Sequence, residues 1–403
     1  MMELKRLKLL SVMILVACLT GFASDIYTPS FSNMAQDFCV PIYNIQNSMV
    51  IFMLGVSISQ LIYGPLSEII GRRIPLTIGL VIMFIGSVIC LYAPDINLLL
   101  IGRFIQGSGA GACACLWRSI FRDSFNSTQI SKYGGYLGII MVFIVAASPA
   151  LGGYLESYFG WRASFLAVTI YSLATLLLVW FVLHETSTSH HKDRFNINFF
   201  VNAFGQLLSS PIFMGYAFCT FLTYGAFFSW FVLGSVLLID NLGITATTFG
   251  LINLFLGGTS MALAGFFNGK MVARLGTYSM LRLGWGLMFL SGVIIALSSY
   301  IYGQTLLSIM LSLFVFLFGT TLIWPNSFAG AFAPFGTIAG CAGALYSFIQ
   351  LGGGVIIGWL SSFFLTKNPY SLSIVFIFTS IAAWIIFELI VMKTRETDEM
   401  YFS

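Results

Sequence analysis

Runs of about twenty apolar residues recur from one end of this chain to the other, and no other feature limits its fold so strongly. A bilayer interior of ~30 Å is crossed by about 20 residues of helix, and a backbone in lipid has to satisfy its own hydrogen bonds. With turn residues and charges as breaks, spans fall near 9–32, 45–68, 74–93, 97–120, 133–156, 162–183, 211–237, 246–269, 279–300, 304–327, 337–363 and 371–392. With 58% hydrophobic and 8% charged residues among 403, the chain has too little polar surface to cover a water-soluble globule. Strand-like alternation is absent, which argues against a β-barrel. The expected fold class is an all-α membrane protein of twelve transmembrane helices. The first run follows Lys5, Arg6 and Lys8 but is too long for the apolar part of a signal peptide, so it reads as a retained span.

The longest polar stretch, His184 to Arg194, follows the sixth span and divides the chain into residues 1–183, a cytoplasmic linker over 184–210, and residues 211–403. Of the 18 Lys and Arg residues, fifteen fall at the N-terminus, in the even-numbered loops, in the linker or in the tail. The acids Asp37, Asp95, Glu156 and Asp240 mark the opposite turns. Positive residues stay on the cytoplasmic side, so both termini are expected in the cytoplasm, with the chain in a bacterial inner membrane. The net charge of +4 is spread over short clusters between spans and forms no nucleic-acid-binding face. Seven cysteines scattered through apolar runs make no disulfide framework. His184, His190 and His191 have no Cys or acid at ligand spacing, and no phosphate-binding glycine loop occurs, so no metal, cofactor or enzymatic centre is expected.

The turn after the second span reads Gly64-Pro65-Leu66-Ser67-Glu68-Ile69-Ile70-Gly71-Arg72-Arg73, and Asn268 to Gly276 is another short basic glycine turn at the equivalent place after the eighth. Such repetition points to two parallel six-span halves with a cavity between them near the midplane. Glycine permits the tight turn, and an acid set beside two arginines suits a latch whose partners differ between conformations. A plain cytoplasmic anchor is the other reading of Arg72 and Arg73. The fourth span contains Arg103-Phe104-Ile105-Gln106-Gly107-Ser108-Gly109. An arginine inside a span costs ~2.5–3.5 kcal/mol, so it is expected to face an internal partner or cavity. These two segments resemble the signatures Gly-x-Leu-x-Asp-x-x-Gly-Arg-Arg/Lys and Arg-x-x-Gln-Gly-x-Gly of the major facilitator superfamily, with Glu68 in place of the Asp. The resemblance implies two pseudo-symmetric six-helix bundles, a latch of Gly64, Glu68, Gly71, Arg72 and Arg73, and a part for Arg103 in proton coupling.

In the fifth span, Ser148-Pro149-Ala150-Leu151-Gly152-Gly153 is similar to the superfamily's antiporter signature Gly-Pro-x-x-Gly-Gly, with Ser148 at the first glycine. A proline and two glycines make a kink and a close-packed seam, suited to sealing one side against proton leak. The first span ends in Asp25-Ile26-Tyr27-Thr28-Pro29, which resembles the Asp-x-Tyr-x-Pro segment of the bicyclomycin/chloramphenicol resistance (Bcr/CflA) branch of drug–proton antiporters. Asp25 is the acid plainly inside a span of this half, and an intramembrane carboxylate is a functional candidate by default. One such group suffices for exchange, because proton and substrate compete for it. The other reading places Asp25 at the outer end of its span as a hydrated cap.

The second half is less explicit. Asn253, Trp324-Pro325-Asn326 and Gln350 are polar or kinked positions within spans, and Tyr27, Gln106, Trp117, Tyr136, Phe143 and Tyr346 are expected with Asn253, Asn326 and Gln350 along the cavity. Glu388, five residues before Lys393, is expected at the interface. Together these features lead us to expect a monomeric exporter of amphipathic small molecules coupled to protons, with Asp25 binding both and Arg103 regulating it. The rival readings are export of an endogenous metabolite or siderophore, proton-linked nutrient uptake, and a membrane sensor that transports nothing.

Overall fold

The computed structural model describes residues 2–125, 127–186, 197–335, 338–363 and 370–394. Within them the apolar runs form helices: α1 (Met2–Asp25), a 3-10 turn (Thr28–Ser30), α2 (Phe31–Asp37), α3 (Ile42–Ile70), α4 (Arg73–Leu91), α5 (Ile96–Ser124), α6 (Ser127–Phe159), α7 (Arg162–Val182), α8 (Ile197–Leu208) and α9 (Pro211–Val236). They continue with α10 (Ala246–Ile252), α11 (Gly258–Tyr302), α12 (Leu306–Phe332), α13 (Ala339–Ser362) and α14 (Tyr370–Ile386). Ten helical stretches among the described residues are long and apolar enough to cross a membrane. One of them, Ala246–Tyr302, is 57 residues long and contains the non-helical Gly276 at φ 76°, so it holds two spans. The 33-residue α6 completes the expected twelve.

The structure departs from the sequence reading in three places. The first span is not one helix: it stops at Asp25, turns through Thr28–Ser30 and resumes as α2. Pro29 has no N–H to give the Asp25 carbonyl four residues back, which breaks the ladder there. The expected linker contains a helix, α8, whose Ala203 and Leu207 are buried. At 12 residues it is far shorter than a span, so a search for membrane-length runs passes over it. Glu156, expected in an outward turn, lies in the last turn of α6 and is only 9% exposed.

The chain forms two compact units, Met1–Asn196 with Thr245–Leu254, and Ile197–Ile244 with Phe255–Ser403. In the first unit α5 is wedged between α3 and α4 by glycines. A Cβ on Gly107 would overlap the Phe52 carbonyl of α3, and one on Gly109 the Gly79 carbonyl and the Met83 nitrogen of α4. Backbones this close bury whatever α5 carries on those faces, Arg103 and Gln106 included. The short α10 groups with this unit because Gly250 packs on the Ala150 backbone and Gly153 on the Ala246 carbonyl, contacts that leave no room for a side chain. Thr247 Oγ1 donates to the Gly153 carbonyl at 3.3 Å across the same seam.

In the second unit α9 packs on α13 through Gly225 and Gly353, and α11 packs on α12 through Gly284 and Gly319. Glu388 is held by Arg282 of α11, with Nε at 2.6 Å and Nη2 at 2.8 Å, and by Trp384 Nε1 at 3.1 Å. The turn at Gly276 (φ 76°, ψ 162°) repeats the conformation of Gly71 (φ 90°, ψ 172°), so the two basic glycine turns share backbone geometry as well as sequence. Both lie where an L side chain is strained.

Candidate functional site

Asp25 lies near the middle of the stretch Leu9–Asp37, at the last residue of α1, and is 6% exposed. Its backbone carbonyl, deprived of a donor by Pro29, accepts the Thr28 hydroxyl at 2.8 Å. The Asp-x-x-Thr-Pro order thus makes a helix break and caps it with the residue just before the proline. A broken helix is a place where a polar side chain can be held at depth in a membrane.

Arg103 is fully buried and interacts electrostatically with Asp25. Its guanidinium carbon stands 4.1 Å from the Phe52 ring centroid, 4.5 Å from Tyr27 and 6.0 Å from Phe165. Nη1 donates to the Ala23 carbonyl at 3.1 Å and to Gln106 Oε1, Nε reaches the Ser48 carbonyl at 3.5 Å, and Nη2 has no partner. Gln106 Nε2 donates onward to Ser87 Oγ at 2.8 Å. Ser48 Oγ spends its proton on the Ile45 carbonyl, so the 2.8 Å bond between Tyr27 and Ser48 is donated by Tyr27. A buried cation with one free donor is compensated by π faces, carbonyl oxygens and the nearby carboxyl, and its balance depends on whether Asp25 is charged.

A second polar cluster lies at the α3–α4 turn. A Cβ on Gly71 would overlap Glu185 Oε2, and the two Glu185 carboxylate oxygens accept the backbone N–H groups of Arg72 at 2.9 Å and Arg73 at 3.2 Å. Arg72 Nε pairs with Asp123 of α5 at 3.0 Å and its Nη1 donates to Ser67 Oγ at 2.7 Å. Arg73 Nη2 donates to the Trp180 carbonyl at 2.6 Å. The acids that hold the arginines are Asp123 and Glu185, which sequence reasoning missed. Each sits at a span end, where charge is ordinary, and only Arg122 beside Asp123 hinted at local pairing. Glu68 is half-buried on α3, and Gly64 lies one turn before it.

Ser148 is buried, with Oγ donating to the Val145 carbonyl at 2.8 Å, and Pro149 lies inside α6. Gly152 abuts the Ile26 carbonyl, so this seam lies directly behind the Asp25 break. Among the other candidates, Tyr27 and Gln106 join the Arg103 network, while Trp117 is half-buried with Arg118 4.8 Å from its ring. Phe143 is 52% exposed, and the Tyr136 side chain lies outside the described residues, as do His190 and His191. Asn253 is buried and donates to the Phe249 carbonyl at 2.9 Å. In the second unit, Asn326 bridges Asn268 Oδ1 and the Leu322 carbonyl at 2.7 Å each. Tyr346 packs among Phe213, Phe328 and Phe332, and Gln350 is half-buried one turn further along α13. No group of three His, Cys, Asp or Glu able to hold a metal occurs among the described residues.

Comparison with known proteins agrees with this architecture. The chain is 26% identical over 347 residues to a bicyclomycin resistance protein homolog of Haemophilus influenzae, covering 86% of each. It is 24% identical over 358 residues to multidrug resistance protein D of Escherichia coli, covering 87% of this chain and 88% of that one. It is 24% identical over 356 residues to a chloramphenicol resistance protein of Pseudomonas aeruginosa, covering 87% and 82%. A structure of the xylose transporter XylE from E. coli superposes with a TM-score of 0.74 at 15% identity, over 96% of this chain and 97% of that one, a likeness of fold. The family model described as Major Facilitator Superfamily matches residues 13–357. The expected fold class and the resemblance read from the motifs both hold, and the chain belongs to the major facilitator superfamily of membrane transporters.

Proposed function

We propose that this transporter exports amphipathic small molecules, drugs among them, from the cytoplasm of a bacterium in exchange for protons, working as a monomer in the inner membrane with both termini inside. The observation that carries this reading is Asp25: a carboxyl 6% exposed, at a helix break within the apolar stretch Leu9–Asp37, in electrostatic interaction with a fully buried Arg103 whose Nη2 makes no hydrogen bond. The resistance names of the relatives at 24–26% identity support the substrate class.

In this scheme ionised Asp25 offsets the Arg103 charge and attracts a cationic or polar substrate group. Protonation removes that attraction, and the guanidinium turns to its aromatic faces and carbonyl acceptors, so the substrate leaves. Competition of two ligands for one group is a negative coupling, which is what exchange requires. The gradient supplies the work, at ~2.3 kcal/mol per charge for each 100 mV. The α6 seam of Pro149, Gly152 and Gly153 closes the space behind Asp25 against proton leak, and the Arg72–Asp123–Glu185 cluster is the latch that rearranges as access alternates.

The test is flux in proteoliposomes under an imposed pH gradient, with Asp25→Asn beside the wild type. Gradient-driven flux is expected to disappear in the variant while substrate exchange without a gradient persists. Undiminished gradient-driven flux in Asp25→Asn would remove Asp25 from the mechanism.

A further inference from the structure

Where α6 ends, the first unit holds a carboxyl that the exchange scheme does not use. Glu156 stands in the last turn of α6 and is nine-tenths buried; Asn33 Nδ2 of α2 donates to its Oε1 at 2.5 Å, and its Oε2 is buried without a partner. An acid taken out of water ordinarily has both oxygens paired or a cation beside it. Arg162, at the start of α7, is committed instead to Asp37, with Nη1 3.9 Å from Oδ2, and Trp161 Nε1 donates to the same oxygen at 2.7 Å. The short α10, which also packs on α6, carries no charged residue.

Two elements lead from Glu156 back to the charge centre. On α6 it is one turn, about 6 Å, beyond Gly152, which abuts the Ile26 carbonyl at the Asp25 break. On the first span its partner Asn33 is one turn beyond Ser30, the last residue of the 3-10 turn that joins α1 to α2 and that α6 packs against. Ser30 is the N-cap of α2, where a serine oxygen usually accepts a helix N–H, yet it makes no cap bond, and its Oγ is fully buried without a partner. Arg103 Nη2, at the charge centre itself, is a third such atom. Orphaned buried polar atoms are few in native proteins, and a file of them marks where ordered water or a moving proton is held. From Arg103 through Ser30 to Glu156 they trace a polar thread from Asp25 toward the end of the unit, where the Asp37 and Arg162 side chains are 56% and 49% exposed.

We propose that Glu156 is the proton-exchanging group on the outer side of this transporter. It takes a proton from external water and passes it along Ser30 and the water of this seam to ionised Asp25. One O–H bond is broken at Glu156 and one is formed at Asp25, so Glu156 is left ionised for the next proton while Asp25 becomes neutral and gives up its substrate. Chains of carboxyls carry protons through membrane proteins in this way. The proposal rests on the reading of Asp25 as the coupling carboxyl. It also gives the α6 seam a second part: Gly152 closes on the break, and protons reach Asp25 through a group that binds and releases them.

The test uses the full chain in proteoliposomes with labelled ethidium as probe. Exchange of labelled for unlabelled ethidium without a gradient needs only binding and alternating access; flux driven by an imposed pH gradient needs proton delivery as well. Glu156→Gln is expected to slow driven flux about tenfold or more and to leave gradient-free exchange within about twofold, and Glu156→Asp to restore most of the loss. Ser30→Ala removes a hydroxyl that has no bond to lose, so it is expected to leave the thermal unfolding midpoint unaltered and still to slow driven flux alone, about threefold. Driven flux in Glu156→Gln within about twofold of the wild type would overturn the relay, as would an equal loss in both assays, which is what a plain tie between α2 and α6 gives. No effect of Ser30→Ala would overturn the route. Asp25→Asn alongside separates the two readings. Driven flux lost in Asp25→Asn but kept in Glu156→Gln removes the relay and leaves Asp25 standing. The reverse pattern, or a wild type without driven flux, sinks the Asp25 scheme and the relay that feeds it.

Discussion

At the scale of single residues, the site is a set of replacements for bonds that the membrane does not supply. Pro29 removes a donor from the Asp25 carbonyl and Thr28 Oγ1 restores one at 2.8 Å. Thr28→Val keeps the shape and loses the bond, so the unfolding midpoint in detergent is expected to fall by the equivalent of about 1 kcal/mol. Arg103 is a larger commitment. Its removal leaves Gln106 Oε1 and the Ala23 carbonyl without their donor and opens a void between Phe52 and Tyr27. Arg103→Ala is expected to cost about 3 kcal/mol or more in the same measurement. Arg103→Lys keeps the charge but not the flat fork that stacks and donates at once, so an intermediate loss is expected. Asp25 and Arg103 were both visible in the sequence, because a charge inside an apolar run is costly and therefore conspicuous. Asp123, Glu185 and Arg282 were not singled out: at the end of a span, or in the polar stretch just past it, a charge costs little, and its importance lies in a partner far along the chain.

At the scale of elements, glycines decide how closely the helices approach, and their substitution separates two kinds of cost. A methyl on Gly107 would run into the Phe52 backbone and one on Gly152 into the Ile26 backbone, neither of which can swing aside. Gly107→Ala and Gly152→Ala are each expected to destabilise by about 1–3 kcal/mol or to prevent assembly. Gly276 has no neighbour within 4 Å of its would-be Cβ but has φ 76°, so Gly276→Ala is expected to show backbone strain alone, about 1–2 kcal/mol. Gly265, helical and with nothing within 4 Å, is the control; alanine there is expected to be neutral or stabilising by up to about 1 kcal/mol. Thermal unfolding of the four variants in one detergent ranks them, and a Gly265→Ala loss equal to that of Gly107→Ala would mean that the close contacts are not what the glycines serve. Most helices were legible as apolar runs; the interruption at Asp25 was not, since Asp-Ile-Tyr-Thr-Pro reads equally as a kinked helix. The helix α8 was missed because the reading looked for membrane-length segments.

At the scale of the whole molecule, Cys39 tests the orientation drawn from the positive charges. It is the one exposed cysteine, in the turn after α2, whereas Cys18, Cys90, Cys113, Cys219 and Cys341 are buried and Cys115 is half-buried. A membrane-impermeant maleimide added to intact cells is expected to label the wild type and not Cys39→Ser; labelling only after the cells are opened would reverse the topology. The sequence by itself determined that the chain lives in lipid and how many times it crosses, because the transfer of each segment from water depends on that segment alone. Only the tertiary structure decided which polar groups meet: Arg103 with Phe52 and the Ala23 carbonyl, Arg72 with Asp123, Glu185 with the turn at Gly71, Trp324 with Phe227. Those meetings depend on which helices touch and in what register, and close contacts between glycines and distant backbone set that register where no local pattern can express it.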